Sequence, residues 1–322
     1  MSTDRRVLLL FLALGVVWGI PYLLIKIAVA ELEPTTLVLA RTGLAAVIMV
    51  PLAARQRALA PVLRRWVPVL VYTAVEIVVP WYFLASAEQQ LSSSLTGLLL
   101  AGVPVVGVVI ALLTRRSENL GVMGGLGLLV GMVGVALLVG FDGGLVGGGG
   151  TERPAQLVAM GELAVVVVLY AIGPVIMTRW MADLPATGVI AVSLAVAALV
   201  YAVPGGLQAP RTMPSVATVL SVLVLAAVCT ALAFVLFFAL VAEVGAVRTT
   251  LITYINPAVA VVAGVLVLDE RVTWATVAGF VLVVSGSALA SRRPRGRGVE
   301  DAAGTARTCP PEPGADLATM ER

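Results

Sequence analysis

The sequence predicts an all-α integral membrane protein of ten transmembrane helices arranged as two inverted five-helix repeats. The first observation behind this is composition. The 322 residues are 60% hydrophobic with a mean hydropathy of +1.05, and only 12% are charged, where a soluble domain has about 25%. Of the 39 Lys, Arg, Asp and Glu residues, 11 fall in the last 32, leaving 28 for the first 290. So few charges exclude a cytosolic enzyme, a secreted disulfide domain and a disordered chain. The other two observations are ten apolar stretches and an internal offset near 152 residues.

A membrane-crossing helix needs about 20 mainly apolar residues. The stretches that qualify are 7–30, 37–54, 67–87, 94–113, 120–140, 157–178, 186–204, 216–241, 249–268 and 273–290. The first follows Arg5 and Arg6 and closes at Glu31 to Pro34. Its Ala28-Val29-Ala30 has the small residues of a signal-cleavage site. The run is 24 residues long, however, and Lys26 precedes that site, so it reads as span one. Arg55 to Arg65 separates the second span from the third, which stops at Ala87. Arg115 to Asn119 divides four from five, and Gly143 to Pro154 divides five from six. The gap between six and seven is short, Asp183 to Pro185. Pro204 to Pro214 precedes span eight, and Asp269 to Arg271 separates nine from ten.

Basic residues orient these spans. With the N-terminus inside, Arg5, Arg6, Arg55, Arg57, Arg64, Arg65, Arg115, Arg116, Arg179, Arg248, Arg292, Arg293, Arg295 and Arg297 are cytoplasmic, and only Arg153, Arg211 and Arg271 lie outside. This 14-to-3 bias predicts an even number of spans and both termini inside.

The offset aligns Ser117-Glu118-Asn119-Leu120 with Asp269-Glu270-Arg271-Val272, Gly127 with Gly279, Gly134 with Gly286, and Ala136-Leu137 with Ala288-Leu289. One residue of adjustment pairs Pro104 with Pro257 and Pro21 with Pro174, and Trp18 falls opposite Tyr170. Five spans per half is odd, so the second half enters the membrane reversed. Inverted repeats of this kind recur in secondary transporters, where two halves rock about a shared site.

Trp18-Gly19-Ile20-Pro21 followed by Lys26, Arg41, the run Ala87-Glu88-Gln89-Gln90-Leu91-Ser92-Ser93, Pro104, Glu118 and the Gly127/Gly134 helix resemble the EamA branch of the drug/metabolite transporter superfamily. Asn256-Pro257-Ala258-Val259-Ala260 and Asp269-Glu270-Arg271-Val272-Thr273 resemble its span nine to ten signature. Tyr170-Ala171, where the family often has Trp-Ala or Trp-Gly, and the Gly147 to Gly150 insert depart from the pattern. The resemblance covers residues 7–290 and implies the fold and a transport function, without a substrate. The chain then divides into a first EamA-like repeat (1–142), a Gly-rich linker (143–156), a second repeat (157–290) and a cytoplasmic tail (291–322) expected to be disordered.

Four charges fall inside the spans: Lys26, Arg41, Glu76 and Glu162. Each requires a reason, since a charge at the bilayer centre costs about 2.5–3.5 kcal/mol on insertion scales. Glu76 is tenth in its 21-residue span, near the midplane; it is either a proton-carrying or substrate-binding carboxylate or a neutralised group holding helices together. Lys26 either snorkels to the interface or joins Arg41 in attracting an anion such as a carboxylate. Arg41 also suits a fixed ion pair, and Glu162 is read as structural. Pro104 and Pro257, near the middle of spans four and nine, are expected helix kinks that free carbonyls, and Asn256 adds a donor and an acceptor there. Trp18, Tyr22, Tyr72, Trp81, Tyr170 and Tyr254 are candidates to line a cavity, whereas Trp66 and Trp274 sit at span ends like interface anchors. Gly121, Gly124, Gly127, Gly131 and Gly134 are expected to let helices pack closely.

The chain has no His, and its two Cys, Cys229 and Cys309, offer no disulfide framework. It carries no Walker motif, Gly-x-Ser-x-Gly or His-Glu-x-x-His. The expectation is a non-enzymatic transporter without cofactor or metal, in the bacterial inner membrane, as monomer or homodimer. Its partners are a small-molecule substrate and the lipid bilayer, with no nucleic acid. Efflux of an amino-acid-like metabolite or drug, with possible proton coupling, competes with a receptor, scaffold or enzyme built on the same bundle.

Overall fold

The computed structural model describes residues 3–113, 121–142, 153–244, 252 and 255–290, and among them every long element is a helix. In chain order the helices are α1 (Thr3–Gly19), α2 (Pro21–Ala28), α3 (Pro34–Arg55), α4 (Leu59–Arg64), α5 (Trp66–Thr73), α6 (Val79–Gln90), α7 (Ser93–Leu100) and α8 (Val103–Leu113). Then follow α9 (Gly121–Leu137), α10 (Arg153–Trp180), α11 (Ala186–Leu207), α12 (Val216–Ala226), α13 (Ala233–Val244), α14 (Asn256–Leu268) and α15 (Trp274–Ala290). Turns of π-helix join α5 to α6 (Ala74–Val78) and α12 to α13 (Ala227–Leu232), and a third closes α9 (Leu138–Asp142). Among the described residues eight stretches are long and apolar enough to cross a membrane; Asn256–Leu268 and Trp274–Gly286 are shorter apolar helices.

The prolines cut the predicted spans. Span one breaks at Ile20, and Pro21, which has no N–H to give, opens α2. Span four breaks at Ala101-Gly102. Pro104 and Pro257 therefore stand in the first turns of α8 and α14, where a missing N–H is harmless, rather than bending continuous helices. Pro174, paired by sequence with Pro21, lies inside the unbroken α10. The third span is longer than expected, Trp66–Gln90, which brings Glu88 inside the helix. Its polar neighbours Gln89 and Gln90 look like a boundary, yet packing buries Glu88 completely.

Glycines set the direction of helix pairing. In the α9–α15 contact, a methyl group on Gly134 would come 2.7 Å from Val283 N and 2.9 Å from Gly279 O, while Gly286 faces Gly127 and Gly131. Numbers rise along α9 as they fall along α15, so the two run antiparallel. Gly127 and Gly134 meet the counterparts of one another. Gly205 against Thr35 with Gly188 against Ala58 makes α3 and α11 antiparallel. Gly97 against Ala260 with Gly264 against Ser93 does the same for α7 and α14. The acids Glu31 and Asp183, 152 positions apart, act alike: Glu31 accepts from the N–H of Ser215, the N-cap of α12, and Asp183 pairs with Arg65, which precedes α5.

Two large apolar cores fill the bundle. One is centred on Leu98, Leu163 and Leu225, the other on Met49, Ile77, Ile190 and Leu194. Outward faces carry exposed Val47, Leu199 and Leu266, as a lipid-facing surface does.

Candidate functional site

The two π-helical turns joining α5 to α6 and α12 to α13 begin 153 residues apart and each carries polar side chains. A π-turn inserts a residue into the helix, widening it and breaking the i→i−4 ladder. Pro80, just past the first turn, withholds another N–H. Freed backbone groups find side chains instead: Tyr201 Oη donates to Val78 O at 2.8 Å, and Thr230 Oγ1 donates to Leu225 O, five residues back, at 2.8 Å.

Arg41, on α3, is buried at 7% exposure. Its Nε donates to Thr230 Oγ1 at 3.1 Å, and its guanidinium carbon lies 3.7 Å from the centre of the Trp81 ring, a cation–π contact. Tyr22, Tyr170, Cys229 and Glu88 are within its electrostatic reach. Correspondingly, Ser193, 152 positions after Arg41, accepts from Thr73 Oγ1 at 2.8 Å, so matched contacts between the two halves are each tied by a hydrogen bond.

Glu76 occupies the first π-turn. Its Oε2 is buried and accepts no hydrogen bond among the described residues. It packs on Gly173 of α10, where a methyl group would come 2.7 Å from the Glu76 carboxyl carbon. Tyr72 and Tyr170 lie within electrostatic reach of it. Arg41, Glu76, Tyr22, Tyr72, Trp81 and Tyr170 thus come together from four predicted spans.

Lys26 ends on main-chain carbonyls, donating to Glu88 O at 2.7 Å and Leu91 O at 2.9 Å. Beside it, Glu88 is fully buried and neither carboxylate oxygen has a hydrogen-bond partner among the described residues. Glu270 accepts from the main-chain N–H of Ser93 at 2.8 Å and of Ser94 at 3.0 Å, and from both serine hydroxyls. In sequence Glu88 stands only in a family-like signature, and Glu270 in such a signature and in the repeat alignment. The signal that could have raised Glu88 is its helical phase: Glu88 lies seven residues after Trp81, on the same face.

Other candidates lie elsewhere. Trp18 packs against Phe237 and Phe234, with ring centroids 5.2 and 6.0 Å apart. The Asn256 amide, with its nitrogen turned to two main-chain carbonyls, donates to Ile252 O and Gly15 O at 3.1 Å each, tying α14 to α1. Glu162 accepts from Ser86 at 2.9 Å. Tyr254 and Glu118 lie outside the described residues. Among the described residues no group of three or more Cys, Asp and Glu could hold a metal ion.

Charged side chains buried among broken, antiparallel-paired membrane helices define a multi-pass membrane transport protein. The EamA-like transporter family model matches residues 5–140 and again 159–292, and the chain belongs to that family, within the drug/metabolite transporter superfamily. A crystal structure described only as that of a protein aligns over 90% of this chain and 98% of its own, at 21% identity and a TM-score of 0.63, a likeness of fold. None of the curated proteins matches the chain.

Proposed function

We propose that this EamA-family protein is a proton-coupled secondary transporter that exports a small amino-acid-like metabolite or drug by alternating access. In this reading ten spans form two inverted repeats, 1–142 and 157–290, joined by the 143–156 linker, with both termini and the 291–322 tail on the cytoplasmic side of a bacterial plasma membrane. The observation that carries it is that a buried cation, Arg41, bonded to Thr230 of the second π-turn, and a buried carboxyl, Glu76 in the first, lie within reach of the same phenol, Tyr170. Only Nε of the Arg41 guanidinium has a hydrogen-bond partner among the described residues, which leaves its outer nitrogens for a carboxylate. A buried carboxylate needs a proton or a cation to compensate it. Glu76 is therefore suited to exchange a proton for the ammonium group of a substrate, and Trp81 and the tyrosines supply apolar faces with polar edges. Antiparallel pairing of α3 with α11, α7 with α14 and α9 with α15 supplies the two-fold arrangement that rocking requires.

The test is a substrate screen with the purified protein in liposomes, comparing wild type with Glu76→Gln at two pH values. Flux driven by a pH gradient is expected in the wild type and lost in Glu76→Gln, with folding intact. Unchanged flux in the variant removes Glu76 from the mechanism. Binding without flux in the wild type favours a receptor or scaffold.

A further inference from the structure

The corner between α6 and α7 is gripped by opposite charges from two distant parts of the chain. On the α6 side, Lys26 of α2 caps the C-terminal carbonyls of Glu88 and Leu91. On the α7 side, Glu270, from the turn between α14 and α15, caps the first N–H groups through Ser93 and Ser94. Each charge complements the dipole of the helix end it holds. Gly264 makes room for this grip, since a methyl group there would come 2.9 Å from Ser93 Oγ and closer still to Ser94 Oγ and Glu270 Oε2. Under the corner lies the Glu88 carboxyl, wholly buried, with neither oxygen hydrogen-bonded among the described residues. Lys26 forms no ion pair with it, its ammonium being held by the main chain.

We propose that Glu88 is a proton-binding site that controls this clamp. The charged and titratable groups that act on it are Tyr22 and Lys26 from α2, Arg41 from α3 and Glu270 from the α14–α15 turn; α10, also packed on α6, brings Glu162 to Ser86 and Tyr170 to Arg41, and α7 offers only Ser and Thr. In the clamped state the Glu88 carboxyl is protonated and needs no counter-charge. Release of that proton to water at this end of the bundle leaves a carboxylate that the nearby Lys26 ammonium can pair with. The ammonium then gives up its bonds to Glu88 O and Leu91 O. The α6–α7 corner loosens, and with it the seat that Ser93 and Ser94 provide for Glu270. As the coupling step of transport this rests on the proposed function; as a proton site it stands apart from it.

The probe is the proton itself, so no substrate is needed. Full-length wild type, Glu88→Gln and Glu162→Gln in lipid nanodiscs are followed across pH by two measurements: the infrared carbonyl stretch of protonated carboxylic acids, and hydrogen–deuterium exchange of residues 91–95, corrected for intrinsic rates. In wild type and Glu162→Gln an acid band is expected to vanish with rising pH as protection of residues 91–95 falls about tenfold. Glu88→Gln is expected to lack that band and to keep its protection throughout. A Glu88→Gln protein with the wild-type band and exchange profile overturns the proposal. Should that variant not fold, Glu88→Asp decides: a shifted midpoint in both measurements supports the site, and an unshifted one overturns it. Wild type that titrates this way without carrying flux would sink the transport reading alone.

Discussion

Gly173 and Glu76 define each other. α10 presents a bare backbone where the carboxyl of Glu76 lies, and any side chain at 173 meets that carboxyl first. Gly173→Ala is expected to lower stability by about 1–3 kcal/mol through overpacking and to displace Glu76. A fall in apparent Tm together with lost pH-driven flux is the expected pair of results, and normal stability with normal flux would show the site to be more yielding than its geometry indicates. Lys26 and Arg41 show how a single charged residue is read differently once packed. In sequence both are membrane cations able to attract an anion; in the structure Lys26 is committed to two carbonyls, whereas Arg41 bonds only through Nε among the described residues. Side-chain partners more than 60 positions away in sequence decided this, and hydropathy carries no record of them.

Among the elements, the connections do as much as the spans. Glu31, between α2 and α3, accepts from Ser215 at the start of α12; these bonds, to the Ser215 hydroxyl and then its main-chain N–H, hold the Glu31 carboxyl below the ordinary glutamate value. A carboxyl whose value is lowered by folding contributes stability that is present above the unfolded value and lost as the pH falls through the folded one. Apparent Tm measured against pH is therefore expected to separate wild type from Glu31→Gln above about pH 5 and to bring them together in acid. Parallel curves would show that the Ser215 contacts do not couple to folding. The prolines were legible as interruptions but not as to kind. Pro21, Pro104 and Pro257 open helices and Pro174 sits within one; the missing N–H is harmless in a first turn and removes a ladder bond inside a helix.

For the whole molecule, the α9–α15 seam is one of three antiparallel pairings by which the two family-matched halves meet among the described residues. Gly134 lies against backbone atoms of Val283 and Gly279, which cannot swing aside as a side-chain end can. Gly134→Leu is expected to separate the helices, giving a broadened or aggregated size-exclusion profile and a Tm several degrees lower. Gly125→Leu, on the same helix with open space around it, is expected to elute like wild type. Equal behaviour of the two would show that the close approach at Gly134 does not hold the halves together. The glycine pairs at the 152-residue offset were legible in sequence, but their crosswise meeting was not, since an offset fixes correspondence and says nothing of which counterparts touch.

By itself, the sequence determined that the chain is helical, multi-pass and built from two related halves. Hydrophobic length, scarce charge and residue spacing are properties of the chain alone, and the bilayer converts them directly into helices. It also singled out Glu76, because a midplane carboxylate is conspicuous in one dimension. Only the tertiary structure decided that Glu88 is buried, that Glu270 caps α7, that Asn256 is spent on main-chain carbonyls, and which face of each helix meets lipid. Burial of a charge near a span end depends on what packs over it. For Glu88 the charges within reach come from α2, α3 and the α14–α15 turn, as far as 182 positions along the chain.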